Sequence, residues 1–299
     1  MTTNLVDQDY WDGGYAQAEF SPLAPDHFLR AWINAHVPRG KGDCLEIGCF
    51  PGRFLAAFGD LGYRLHGVDL TPRVEAVPAW LASRGYAVGA FHRADFLTCP
   101  LAQRYDVVSS FGFIEHFTNW QEILGRHADL VAPGGFLVIE APNMAGLVQR
   151  SLRRLFDPED LERHHTPAMH VDAWATIATR LGFEVLHAGP LGTFDIWGTT
   201  SGEREGFKFE LAVLLDIIKP VLQLREETQG PASAAYLGLI ARRIADGPPP
   251  GDPERARDLA TIAETVAARD RDVGRAAQAI VDRVNAWVQH MSLKWTLRT

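Results

Sequence analysis

Two glycines and two acids recur in the first half of the chain at spacings that suit a nucleotide-like cofactor. Gly48 and Gly52 flank a turn between a strand-like and a helix-like run, and such a turn lets the backbone approach a ligand and aims free N–H groups at it. Asp69 follows Gly48 by 21 residues and ends the next strand-like run, where an acid commonly binds ribose hydroxyls. Asp95 ends the third run, where a carboxylate can accept from an exocyclic amine.

The turn itself departs from the dinucleotide fingerprint G-x-G-x-x-G. Counted from Gly48, Phe50 and Arg53 occupy the second and third glycine positions. The second glycine allows close approach to a pyrophosphate and the third allows close helix–strand packing, so a pyrophosphate fits poorly. S-adenosylmethionine has no diphosphate and needs less room. A nicotinamide-dependent oxidoreductase is therefore the less favoured enzyme alternative.

Candidate bases follow the fourth and fifth strand-like runs, because ligands of open α/β sheets bind beyond the carboxyl ends of the strands. Glu115 and His116 follow the fourth run, and His164, His165 and His170 lie in the irregular segment after the fifth. A histidine there can take the proton that an alcohol or phenol acceptor loses near the transition state. We favour His165 or His170, with His116 as a further candidate that could instead form a fold-stabilising pair with Glu115. We expect no metal, since the later histidines lack helical i, i+4 spacing with a third ligand nearby.

The elements that must position these residues alternate between strand and helix from about residue 43 to 141. Continuous apolar strands separated by helices are typical of a parallel sheet covered on both faces. We interpret residues 193–231 as a helical insertion between two later strands, and "DGPPPGDP" at 246–253 as a linker. An apolar stripe over 253–294 predicts one or two helices that pack on the main domain or on a second subunit.

The composition is that of an ordinary globular protein, with 299 residues of which 46% are hydrophobic and 22% charged. A net charge of −8 with only short basic clusters argues against nucleic acid or an acidic membrane as partner. The three cysteines form no disulfide framework or CxxC pair. The polar N-terminus is no signal peptide, and no apolar run reaches the roughly 18 residues of a membrane span. We expect a cytoplasmic protein with a small-molecule substrate.

Five stretches, in this order and spacing, resemble the successive motifs of class I S-adenosylmethionine-dependent methyltransferases. They are "CLEIGCFPGRFL", "GVDL", "ADF", "YDVVSSFGFIEHF" and "APGGFLVIEAPN". "HHTPAMHVDAWATIATRLGFEVLHAG" also resembles the later part of the bacterial small-molecule group. The resemblance covers roughly residues 40–190 and a strand near 235–243. It implies an α/β fold with a Rossmann-like, doubly wound, seven-stranded sheet whose last strand, "AAYLGLIARRI", is antiparallel.

The resemblance also implies which residues hold S-adenosylmethionine. The glycine loop would lie against the methionine part, the acid of the second strand would bind the ribose, and the acid of the third strand would hold the adenine. The end of the fourth strand would form the floor near the sulfonium, and an N-terminal aromatic pair, Tyr10 and Trp11, would close over the methionine carboxylate. Phe50 stands where the family usually has glycine, and we expect it to point away from the cofactor or partly cover it. The expected cofactor residues are Tyr10, Glu46, Gly48, Cys49, Gly52, Asp69, Leu70, Asp95, Phe96, Ser110, Phe111 and Gly112.

The implied activity is methyl transfer to a small molecule, on oxygen rather than nitrogen, in secondary metabolism or glycan tailoring. After the fourth strand the chain has "SFGF", not the Asn/Asp-Pro-Pro-aromatic motif of amino-methylating nucleic-acid enzymes or the Pro-Cys of cytosine C5 enzymes. We expect a helical lid at 1–40, a cofactor-binding domain at 41–245 and a helical extension at 253–299 that could form a homodimer. The non-enzyme alternative is a methyltransferase-like partner subunit.

Overall fold

The computed structural model describes residues 4–101, 103–196, 207–226 and 229–296, and for 207–208 and 291–296 it describes the backbone alone. Within this part of the chain, one seven-stranded sheet has the order β3-β2-β1-β4-β5-β7-β6. Strands β1 to β5 pair in parallel, and β7 is antiparallel to both of its neighbours. The predicted fold class and the antiparallel last strand are confirmed. The strands are β1 (Asp43–Ile47), β2 (Arg64–Asp69), β3 (Val88–Arg93), β4 (Tyr105–Phe111), β5 (Val131–Pro142), β6 (Phe183–Phe194) and β7 (Ala234–Arg243).

Helices cover both faces of the sheet, which is why the central strands are apolar along most of their length. One apolar layer lies between the sheet and helices α2, α3 and α4. The other lies between the sheet and helices α5, α8 and the first half of α10. The helices are α1 (Gln8–Tyr15), α2 (Phe28–His36), α3 (Arg53–Asp60), α4 (Val77–Ser83), α5 (Trp120–Asp129), α6 (Leu147–Phe156), α7 (Pro158–Glu162), α8 (Val171–Arg180), α9 (Phe207–Gln223) and α10 (Pro253–Thr296).

The C-terminal stripe forms one helix, α10, rather than two. It packs on α5, α6 and α8. A buried ion pair between Arg150 and Asp270, 2.8 Å apart, joins it to α6. The predicted insertion at 193–231 falls partly on residues 197–206 and 227–228, which lie outside the described residues. Its described part contains α9, which continues through Pro220.

None of the described helices combines the length with the apolar character that a membrane crossing requires.

Candidate active site

A cavity of about 600 Å³ opens at the carboxyl ends of β1, β2 and β4, a size within the usual range for small-molecule sites. The sheet forms its floor, and residues 4–8 of the N-terminal segment, with part of α1, form its roof. Its lining residues are Asn4, Leu5, Val6, Asp7, Gln8, Trp11, Tyr15, Gly48, Val68, Asp69, Leu70, Ala94, Asp95, Phe96, Leu97, Phe111, Gly112, Phe113, His116 and Phe117.

The two glycines of the β1–α3 turn do different work. Gly48 lines the cavity with φ +70°, and a Cβ there would lie 3.0 Å from the Phe113 ring. Gly52 caps α3 in the left-handed region, with φ +85°. It faces away from the cavity, since a Cβ there would lie 2.9 Å from Val77. Both positions therefore require glycine, but only Gly48 contacts the cavity.

Phe50 joins the β1–α3 turn to β2 through its backbone and to the N-terminal segment through its ring. Its backbone N–H donates to Asp69 Oδ2 at 3.0 Å, so the turn is held to the end of β2. Its ring is 4% exposed and does not line the cavity. The ring packs on Tyr15 and Phe20, at centroid distances of 5.0 and 5.8 Å, and the Arg73 guanidinium lies 4.8 Å from its centre. Phe50 therefore points away from the cavity and towards the N-terminal segment.

The acids that follow β2 and β3 both face the cavity. Asp69 Oδ1 accepts from the Thr71 N–H at 3.0 Å, and its Oδ2 accepts from the Phe50 N–H of the turn. Burial raises the pKa of Asp69, although these backbone N–H groups act in the opposite direction. Asp95 Oδ1 accepts from the Leu97 N–H at 2.8 Å, which orients its carboxylate. Leu70 and the buried ring of Phe96 form apolar walls beside the two acids.

Several predicted cofactor residues lie behind the cavity wall. Glu46 and Ser110 are buried, and among the described residues neither Glu46 Oε2 nor Ser110 Oγ has a hydrogen-bond partner. Burial, and then the charge of Asp69, raises the pKa of Glu46 well above its usual value. The Cys49 thiol points at β2, since a Cβ on Gly67 would lie 2.4 Å from its sulfur. Phe111, the last residue of β4, does line the cavity, as does Gly112.

The N-terminal strap, which we define as residues 4–20, crosses the cavity and is attached at both ends. At one end the Leu5 N–H donates to the His116 carbonyl at 2.8 Å. At the other, Arg73 donates to the carbonyl oxygens of Tyr15 and, at 2.9 Å, Ala18. The chain pattern did not indicate residues 4–8 or Tyr15 as lining residues, because only folding brings them over the sheet.

The predicted aromatic pair of the strap is divided between two environments. Trp11 lines the cavity, and its ring lies 4.9 Å from the His116 ring. Tyr10 does not line the cavity; instead the Arg163 guanidinium stacks on its ring, 4.9 Å from the ring centroid.

Among the described residues that line the cavity, His116 is the one histidine. Its Nδ1 donates to the Arg163 carbonyl at 3.0 Å. Because a carbonyl oxygen can only accept, Nε2 keeps its lone pair. Burial, and after it the neighbouring His164, lowers the pKa of His116 from its usual 6.5 to about 3.

The structure does not bring the two favoured bases, His165 and His170, to the cavity. His170 Nε2 lies 3.0 Å from Asp270, inside the network that fastens α10 to the domain. The His165 backbone N–H donates to the Glu115 carbonyl at 2.6 Å, and burial lowers the pKa of its side chain. Glu140, at the end of β5, is also buried behind the wall, and burial raises its pKa to about 8.

A family model described as a methyltransferase domain matches residues 20–188, which is more than half of the chain. The chain belongs to the S-adenosylmethionine-dependent methyltransferases. This confirms the predicted family, the enzyme class and the cofactor, S-adenosylmethionine.

Curated relatives within the methyltransferases match the chain over part of its length. A ubiquinone biosynthesis O-methyltransferase of Burkholderia orbicola is 30% identical over 138 residues, and that of Burkholderia ambifaria is 32% identical over 139. Each match covers 45% of this chain and 58% of the relative, so the chain spans little more than half the length of these curated relatives.

Solved structures support the fold alone. A Bacillus halodurans chain, described provisionally as a methyltransferase, aligns with a TM-score of 0.52 at 18% identity, covering 73% of this chain and 99% of that one. The MccD protein aligns with a TM-score of 0.52 at 13% identity, covering 75% and 100%.

Proposed function

We propose that this methyltransferase transfers a methyl group from S-adenosylmethionine to an oxygen atom of a small-molecule acceptor. The observation that carries the proposal is that Asp69 and Asp95, at the ends of β2 and β3, line the same cavity as His116, which follows β4 on the other side of β1. The O-methyltransferase names of the two Burkholderia relatives favour oxygen. The strap over the cavity favours a small acceptor.

The cavity residues can be assigned to the separate parts of S-adenosylmethionine. We propose that Asp69 accepts from the ribose hydroxyls, since two backbone N–H bonds leave lone pairs of its carboxylate available. Asp95 would accept from the exocyclic amine, with Leu70 and Phe96 on either side of the adenine. Gly48 and Gly112 would lie along the methionine part. Glu46, Cys49, Gly52 and Ser110 would support the wall from behind, and Trp11 would replace Tyr10 as the covering aromatic.

When bound, the cofactor supplies an electrophilic methyl group on its sulfonium. The chain must hold the acceptor oxygen in line with that group, which is mainly a matter of positioning. We propose that His116 lies beside this oxygen, because it lines the cavity and its Nε2 keeps a lone pair. A phenol has a pKa of about 10, some seven units above that of His116, so this histidine alone is a poor base for it.

We further propose a lid at 1–40, of which the structure describes 4–40, a cofactor-binding domain at 41–245 and a helical extension at 253–299. Nucleic acid is excluded from the proposed partners on the grounds of net charge, −8. A homodimer through the far part of α10 is also proposed, since Ile280 is 42% exposed there. Light scattering of the purified chain measures this directly.

Two measurements test the proposed function. Calorimetric titration should show micromolar binding of S-adenosylhomocysteine and none of NAD; binding of NAD alone would refute the cofactor assignment. Phenols, carboxylic acids and amines are then screened with S-adenosylmethionine, and mass spectrometry should detect one added methyl group on an oxygen acceptor. Methylation confined to amines would refute the choice of oxygen. Cofactor binding without any methylation would favour the partner-subunit alternative.

A further inference from the structure

We propose that Glu115, His116 and His164 bind a divalent transition-metal ion at the acceptor end of the cavity, and that this ion binds the acceptor oxygen. The proposed metal binding is argued from these three side chains and does not depend on the proposed function. The role of the ion in methyl transfer also rests on the proposed function. Two imidazoles with one carboxylate are typical of Zn²⁺ and related first-row ions rather than of Mg²⁺.

One ligand atom from each of the three residues lies within 4.8 Å of the other two. The closest contact between His116 Nε2 and Glu115 Oε1 is 3.7 Å, and the rings of His116 and His164 are 4.7 Å apart. Metal–ligand bonds of about 2.0–2.1 Å require ligand atoms about 3.3 Å apart in a tetrahedral site. The widest pair must therefore close by at most about 1.5 Å, which small side-chain rotations can provide.

Both histidines are prepared as ligands by their other ring nitrogen. His116 Nδ1 donates to the Arg163 carbonyl at 3.0 Å, and His164 Nδ1 donates to the Asp160 carbonyl at 2.6 Å. A carbonyl partner fixes the tautomer in each ring and leaves Nε2 unprotonated. Metal-binding histidines almost always have such a partner, because it holds the ring and raises its basicity.

The carboxyl group of Glu115 is a second observation that favours a cation at this position. The residue is 1% exposed, and among the described residues its Oε2 has no hydrogen-bond partner. A buried carboxyl oxygen without a hydrogen-bond partner is costly. The Arg163 guanidinium, next to His164 in the chain, bonds instead to Asp160 at 3.3 Å and stacks on Tyr10. A metal ion between Glu115 and the histidines would satisfy this group.

The site opens towards the acceptor. His116 and Gly112 line the cavity, and a Cβ on Gly112 would lie 3.5 Å from Glu115 Oε1. Three protein ligands leave a coordination position for an exogenous oxygen, and a bound metal lowers the pKa of that oxygen's proton. The acceptor then loses its hydroxyl proton to solvent and its oxygen bonds to the methyl carbon. The carbon–sulfur bond breaks with its electron pair left on sulfur.

The test is metal binding by the full chain, measured apart from activity. Protein stripped with a chelator is dialysed against Zn²⁺ and analysed by mass spectrometry for bound metal, and Co²⁺ is added to a second sample for its visible absorption. We expect one equivalent of Zn²⁺ and a Co²⁺ spectrum with imidazole ligands. His164→Ala and Glu115→Gln should weaken binding at least 100-fold, whereas the neighbouring His165→Ala should bind as the unaltered chain does.

Thermal unfolding of each variant identifies any that fails to fold, and Glu115→Gln, which keeps the side-chain shape, guards against this. Less than a tenth of an equivalent of Zn²⁺ on the unaltered chain, or equal losses in His164→Ala and His165→Ala, would overturn the proposal. Titration with S-adenosylhomocysteine separates it from the proposed function, because His164→Ala should keep normal cofactor affinity. If His164→Ala loses the metal but methylates the acceptor at an unchanged rate, the role of the ion is overturned but its site is not.

Discussion

Replacing Phe50 with alanine should release the strap from the cofactor loop. The ring is 4% exposed, and Phe→Ala changes at buried positions cost about 3–5 kcal/mol. Two of its neighbours, Tyr15 and Phe20, belong to the strap, while Arg73 also binds the strap carbonyls of Tyr15 and Ala18. We therefore assign about 3 kcal/mol, the lower end of the range, mainly to the contact between strap and loop. This corresponds to a strap that opens roughly 100-fold more often.

Hydrogen exchange of the backbone amides measures this opening directly. In Phe50→Ala the amides of residues 4–20 should exchange up to roughly 100-fold faster, while those of the central strands change much less. Phe58→Ala is the matched control, because Phe58 is fully buried in the same apolar layer and makes its ring contact with Phe111. It should lower overall stability without selective exchange in the strap. Unchanged exchange of residues 4–20 in Phe50→Ala would refute the anchoring role of the ring.

Three further perturbations follow from the same contacts. Asp69→Ala should weaken binding of S-adenosylhomocysteine by at least roughly 100-fold in calorimetry, because two hydrogen bonds to a charged group contribute about 1.5–3 kcal/mol each; normal affinity would refute the ribose assignment. Arg150→Met removes the guanidinium whose Nη2 donates to both carboxylate oxygens of Asp270, and it should lower the free energy of unfolding by about 3 kcal/mol in denaturant titration. The exposed pair of Arg275 and Asp272 should contribute less than about 1 kcal/mol. Burial lowers the pKa of His127 from its usual 6.5 to about 4, so its contribution to the free energy of unfolding is complete above pH 6.5 and is lost as the pH falls towards 4. His127→Gln should flatten the fall of the unfolding free energy between these pH values. An unchanged pH profile would count against a buried neutral His127.

The sheet and the cofactor half of the site follow from local patterns in the chain. Gly48, Asp69 and Asp95 each come directly at or after the end of a strand, so strand order alone places them at one edge of the sheet. The antiparallel β7 was predictable only through the family resemblance, because periodicity does not report strand direction. Side-chain direction was not predictable either. Glu46 and Gly52 have the expected positions along the chain, but neither lines the cavity, and Gly52 faces Val77.

The acceptor half depends on contacts between segments far apart in the chain. His165 and His170 are close to His164 in sequence, yet α10 draws His170 into a bond with Asp270, 100 residues later. His164 follows His116 by 48 residues, and the two rings meet because α5, β5, α6 and α7 fold the chain back between them. Sequence spacing identifies metal ligands when they share one helix or loop, and it cannot identify a set assembled by packing of this kind.

The strap connects the two halves of the site, because one short segment touches both. Its backbone bonds to the His116 carbonyl at the acceptor end, and Tyr15 packs on Phe50 at the cofactor end. Any opening that admits the cofactor therefore also loosens the cover of the acceptor position. Phe50→Ala should raise KM for the cofactor and for the acceptor together, whereas His164→Ala should change the kinetics of the acceptor alone. Steady-state titration of each substrate against the other separates these cases, and an effect of Phe50→Ala confined to one substrate would show that the strap does not act as a unit.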